Sequence, residues 1–183
     1  MVGIRRGLGS LFFCLASTMG HVGDARACIN EVAVQLDPHV AAVAHADRAL
    51  SEGRPLEAAR LAIGTFPALR DATPSRDALR TRALRVMAVA TVRLDGDLAV
   101  GLGWASSTPE QKKANRDWAV TSLRRIAIWK LDQPESLTDL GEALATRPET
   151  RDEALRILEL LARAPVMTTP QGWAALARLR AGE

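Results

Sequence analysis

The side chains able to do chemistry are few and scattered. His39 and His45 are the only histidines after residue 27. They stand six apart on one helical stretch, so they face different ways and cannot share a metal. The chain has two cysteines, Cys14 and Cys28, and neither an HExxH nor a CxxC pattern. A zinc site needs converging His, Cys or carboxylate ligands at such spacings, so none is expected. Gly101-Leu102-Gly103 lacks the third glycine of a dinucleotide loop and comes after no strand pattern. No GxSxG places a serine on a strained elbow, and the chain has no tyrosine. Acidic pairs such as Asp152 and Glu153 fall in a helix first turn, where the dipole explains them. The expectation is no catalytic residue, no metal and no cofactor.

One stretch does combine residue types suited to recognition. Residues 109–131 read as a long helix carrying all three lysines, Lys112, Lys113 and Lys130, with Arg116, Arg124 and Arg125, against Glu110 and Asp117. Trp118 and Trp129 are eleven apart, three helical turns, with Arg125 between them. Trp118, Arg125 and Trp129 could therefore form a stacking and cation–π platform for an anionic or peptide partner. The competing reading is a core helix with buried tryptophans and solvated cations.

The first residues bound the compartment. Arg5 and Arg6 precede a short apolar run, Leu8 to Met19, which is too short to span a bilayer. Residues 1–27 are expected to be a signal peptide, cleaved after Ala27 or, nearer the apolar run, after Ala16. Residues 28–36 then lead onto a domain at 37–183. The stretch Ala25-Arg26-Ala27-Cys28 also resembles a lipoprotein box, which would acylate Cys28; otherwise Cys28 is a free thiol. Loss of residues 1–27 leaves 21 basic and 20 acidic residues, and net charge falls from +3 to +1. Much of the basic character thus sits in the leader and argues for no anionic partner. With Cys14 gone, Cys28 has no internal disulfide partner.

Beyond residue 36 the chain is helical in pattern. Asp37-Pro38 is a capped helix start, and Gly53 a stop; Pro55 opens a second helix, closed by Pro67. A helix from Ser75 to Leu94 buries Leu79, Ala83, Val86, Ala90 and Leu94 and keeps Arg76, Arg80, Arg82 and Arg85 wet. Residues 95–107 have three glycines and no period, where paired helices would require a partner. Thr108 to Gln111 is a capping box. Leu137, Leu140, Ala143 and Leu144 mark a helix with Asp132 as N-cap candidate and Pro134 in its first turn. Pro148 interrupts, and a second stripe comes after it: Ala154, Ile157, Leu158, Leu161 and Ala162. Two such stripes must pack on each other. A last helix starts at Thr169-Pro170 and presents Trp173, Leu176, Ala177 and Leu179.

The segment Asp37–Pro67 resembles a tetratricopeptide-type helix pair, with Ala46, Gly53 seven residues on, Ala58 five further and a closing proline. Leu140-Gly141 with Ala154 looks like a second degenerate copy. The expected fold is all-α, a short stack of antiparallel helical hairpins, either a tetratricopeptide-like solenoid or a plain helical bundle. The resemblance implies a non-catalytic protein- or peptide-binding scaffold module, here exported to the bacterial cell envelope, periplasmic or secreted. Export disfavours nucleic acid as a partner, and membrane attachment requires a lipidated Cys28. The alternatives are a small envelope enzyme with an unrecognised site and a lipid-anchored structural component. Convergent carboxylates of perturbed pKa in a pocket would favour the enzyme; a continuous exposed apolar groove would favour the binding module.

Overall fold

The computed structural model describes residues 37–98, 102–130 and 133–182. The expected leader, Cys28, the 28–36 segment and the proposed cap at Asp132 lie outside the described residues. Among those described there are seven α-helices and no strand. None is long and apolar enough to cross a membrane.

Helix α1, Pro38–Ser51, starts where Asp37 accepts the His39 N–H at 2.8 Å. It ends at Gly53, whose φ of +75° lets the Gly53 and Arg54 N–H groups turn back onto Leu50 and Ala49. Helix α2, Pro55–Thr65, comes next with Pro55 in its first turn.

Helix α3, Ala78–Arg93, begins three residues later than the Ser75 expectation. The backbone of Ser75 is tied at both N–H and C=O to the Thr81 hydroxyl, so Asp77 takes the cap and accepts the Arg80 N–H at 3.0 Å. The expected one-sided burial of α3 is also corrected. Ten of its residues between Thr81 and Val92 are buried, because α3 packs against α1, α2, α4 and α5 together.

Helix α4, Pro109–Trp129, has the expected capping box, with both Thr108 and Gln111 bonds formed. It is also the missing partner of α3, since α4 packs on α3. The turn between them is pinned by Asn115, whose side-chain amide donates to the Gly96 and Ala105 carbonyls at 3.0 Å each. Helices α5, Pro134–Leu144, and α6, Arg151–Arg163, form the expected hairpin, with one 3-10 turn, Pro148–Thr150, between them. Thr150 closes the turn by donating to the Leu144 carbonyl at 2.7 Å. Gly141 permits their close approach; a Cβ there would stand 2.6 Å from Leu158 Cδ2.

Helix α7, Pro170–Ala181, is capped by Thr169, which accepts the Gly172 N–H at 3.0 Å. Its buried face is Gly172, Ala175, Leu176 and Leu179. Trp173, 47% exposed, and Ala177 look outward, contrary to expectation. The apolar stripe runs one position off the one anticipated, since Gly172 is needed where the helix presses on Thr138 and Met167.

Consecutive helices pack on each other, and in addition α1 touches α3, α3 touches α5 and α5 touches α7. The result is a two-layer all-α stack, with the odd-numbered helices forming one layer.

Candidate binding cleft

The odd-numbered layer holds the most charged part of the described interior. Arg82, Arg85 and Arg93 lie along one side of α3, and Glu135, Asp139 and Glu142, at i, i+4 and i+7, lie along one side of α5. The two stripes face each other. Arg85 Nε meets Asp139 Oδ2 at 2.5 Å, and its terminal nitrogens reach Glu135 at 3.0 Å and Asp47 of α1 at 3.4 Å. Further along the pair, Arg93 grips Glu142 with two bonds, 2.8 and 3.0 Å, and donates to the Leu50 carbonyl at 2.9 Å. Arg82 also pairs with Asp47. Contacts advance in the same chain direction on α3 and α5, so these helices run parallel.

By residue type Arg85 is expected in solvent; its side chain is only 15% exposed, and that of Asp139 is fully buried. The arginine stripe has the local signature of a wet face because several basic residues at one helix start normally are wet. The signal that reveals the network is the matching acid spacing on α5, fifty residues away.

Burial pushes the Asp139 carboxyl up to about 6, against the pull of the Arg85 charge and its hydrogen bond; Glu142 and Glu135 push it further the same way. Burial opposes the charge on Arg85, but Asp139, Glu135 and Asp47 together outweigh it and raise its pKa. Among the described residues, Asp139 Oδ1 is buried without a hydrogen-bond partner.

This network forms one wall of a cleft of about 770 Å³. The C-terminal turn of α1, the α3 arginines and the first turns of α5 and α7 line it, with Lys130 at the end of α4. The α5 and α7 starts adjoin, as Thr138 accepts the Thr168 N–H at 3.4 Å. Most of the lining residues are polar or charged, so it is not the continuous apolar groove expected of a peptide-binding module. Convergent carboxylates are present, but Asp139 sits behind Arg85 and does not reach the cleft surface.

The residues singled out on the 109–131 stretch fall elsewhere. Trp118 is half-buried and donates its indole N–H to the Arg70 carbonyl at 2.8 Å. Its ring meets Trp104 edge-on at 4.5 Å and 85°. The cation over an indole is Arg70, 4.8 Å above Trp104, rather than Arg125. Arg125 is exposed, and Trp129 is 60% exposed. Trp118, Arg125 and Trp129 thus share a helix side, but only the last two stand open. The other cations of α4 are not simply solvated: Lys112 pairs with Asp97, Lys113 with Asp117, Arg116 with Asp95 and Arg124 with Glu153.

His39 packs its ring 5.9 Å from Phe66, and His45 is exposed. Among the described residues, no three of His, Cys, Asp and Glu are grouped to hold a metal ion. Compared with models of protein families, with curated proteins and with solved structures, the chain gives no significant match.

Proposed function

We propose that this protein is a non-catalytic protein- or peptide-binding module of the bacterial cell envelope, a degenerate tetratricopeptide-like stack that engages its partner through the cleft of the odd-numbered layer. The observation that carries the reading is that cleft: about 770 Å³, open, and walled by side chains already held rigid through ion pairs. That volume lies within the range of ordinary ligand sites. A wall preorganised in this way loses little side-chain entropy on binding. The leader-like first residues support export, and the Ala46, Gly53 and Ala58 spacing supports the repeat.

A second reading, a small envelope enzyme, draws on one observation, the carboxyl of Asp139 raised to about 6. Against it, a substrate in the cleft meets Arg85 and Glu135 first, and Asp139 has no open side. Raised pKa by burial inside an ion-pair network is a common structural outcome.

The test is photo-crosslinking in the host envelope from a probe placed at Gln171, on the cleft, and at Arg60, on exposed α2. Strong crosslinks from position 171 and none from 60 are expected; equal labelling or none would sink the proposal. The intact mass of the same material reports on export. A chain starting at Cys28 or Ser17 fits a periplasmic or secreted module, and acyl mass on Cys28 fits a tethered one. An uncleaved chain removes the export element.

A further inference from the structure

The cleft is not evenly matched in charge. Each carboxylate on its lining is already engaged: Asp47 by Arg82 and Arg85, Glu135 by Arg85. Two cations on the same lining are not. Arg48, in the last turn of α1, and Lys130, at the end of α4, make no side-chain bond or ion pair among the described residues. Ser136 lines the cleft too; the residue is 3% exposed, and its hydroxyl has no partner among the described residues. A hydroxyl on a cleft wall with no internal partner is available to donate to a ligand. Gln171, at the start of α7, leaves both its side-chain amide and its backbone N–H unengaged among the described residues. The starts of α5 and α7 adjoin here, and the positive ends of two parallel helices add to the field.

Each of these four side chains can donate a hydrogen bond, two of them carry positive charge, and among the described residues no unpaired carboxylate lines the cleft. We infer that the site takes a carboxylate of an acidic peptide, seated between Lys130, Ser136 and Gln171 with Arg48 also facing the cleft. The inference rests on the peptide-binding reading and specifies its ligand. The carboxylate is either a Glu or Asp side chain or a free C-terminus. Both present two oxygens to a set of donors, and charge-assisted bonds of that kind are the stronger ones.

The probe is a fluorescein-labelled decapeptide of alternating Gly and Glu with a free C-terminus, titrated into the full chain and followed by polarisation. Its comparisons are the Gln analogue, the C-terminally amidated Glu form and a phosphoserine analogue. The Glu peptide is expected to bind about tenfold more tightly than the Gln peptide at low salt, and to lose that advantage in molar salt. Arg48→Gln and Lys130→Gln each weaken the Glu peptide about three- to fivefold and leave the Gln peptide unchanged. Ser136→Ala weakens it as well, and Arg60→Gln, on the opposite layer, does nothing. Since Arg48 and Lys130 make no internal side-chain bonds among the described residues, their variants are expected to melt at the wild-type temperature. Loss of binding on amidation assigns the seat to a C-terminus, and retention assigns it to a side chain.

Equal binding of Glu and Gln peptides overturns the inference while leaving a binding cleft in place. So does an Arg60→Gln effect as large as that of Lys130→Gln, or binding of the phosphoserine peptide alone. Failure of all four peptides, with no cleft crosslink at position 171, overturns the binding-module reading itself.

Discussion

Two interfaces made by the same helix behave differently. On one side α5 meets α6 through apolar contact, Gly141 under Leu158 and Ile157, with Leu140, Ala143 and Leu144 in the buried set. On another it meets α3 through buried charge, Asp139 and Glu142 against Arg85 and Arg93. The hairpin interface is set by shape and tolerates no added volume. The layer interface is set by charge and tolerates no lost partner. Buried ion pairs seldom add much stability over an apolar pair of similar volume, yet removing one member leaves the other stranded. The α3–α5 contact is therefore better understood as fixing how hairpins sit in the odd layer than as the source of stability.

The largest expected effect breaks the charged side. Arg85→Met leaves Asp139, Glu135 and Asp47 facing one another around a vacated pocket and should cost about 3–5 kcal/mol in urea unfolding. The double variant Arg85→Met with Asp139→Leu should recover much of that loss. If the single variant costs less than about 1 kcal/mol, the network is solvated and the contrast between interfaces fails.

Next comes pH. The folded carboxyl of Asp139 lies near 6, above its ordinary value. The native state therefore holds this proton more tightly than the unfolded chain. The stability it contributes is full below about pH 4 and is lost as pH rises through about 6, on the order of 2–3 kcal/mol before the neighbouring carboxylates are counted. Asp139→Asn should remove that component, so the difference in unfolding free energy between variant and wild type should change between about pH 4.5 and 7 by that amount. A constant difference across the range would show Asp139 to be an ordinary ionised partner.

The smallest effect sharpens the apolar side. Gly141→Ala puts a methyl into Leu158 and should cost about 1–3 kcal/mol at any pH. Leu158→Ala costs more alone, but in the double variant the two should be less than additive, since the shortened side chain makes room for the methyl. Full additivity in thermal unfolding would mean that the two residues do not press on each other.

Local signals along the chain decide the structure wherever a few neighbouring residues suffice. Asp37, Thr108 with Gln111, and Thr169 with Pro170 start helices as their types require. Pro148 ends the first helix of the hairpin, and Gly53 stops α1. The stripe of α6 buries Ala154, Leu158 and Leu161 as its period demands. Ser75 misleads because its bonds to the Thr81 side chain, six residues on, keep it out of the helix. Trp173 misleads because a single turn of helix offers two plausible faces, and contact with Thr138 and Met167 chose between them.

By itself the sequence determined the helices and the fold class, because capping, proline placement and a 3.6-residue period act within one or two turns. Tertiary structure alone decided that α4 partners α3. It also decided that Arg85 and Arg93 turn inward to acids about fifty residues away, and that Arg48, Lys130 and Ser136 are left unengaged around one cleft among the described residues. The reason is physical. A charge on a helix surface has the same local sequence whether it meets water or a carboxylate, and only packing of distant segments removes the water.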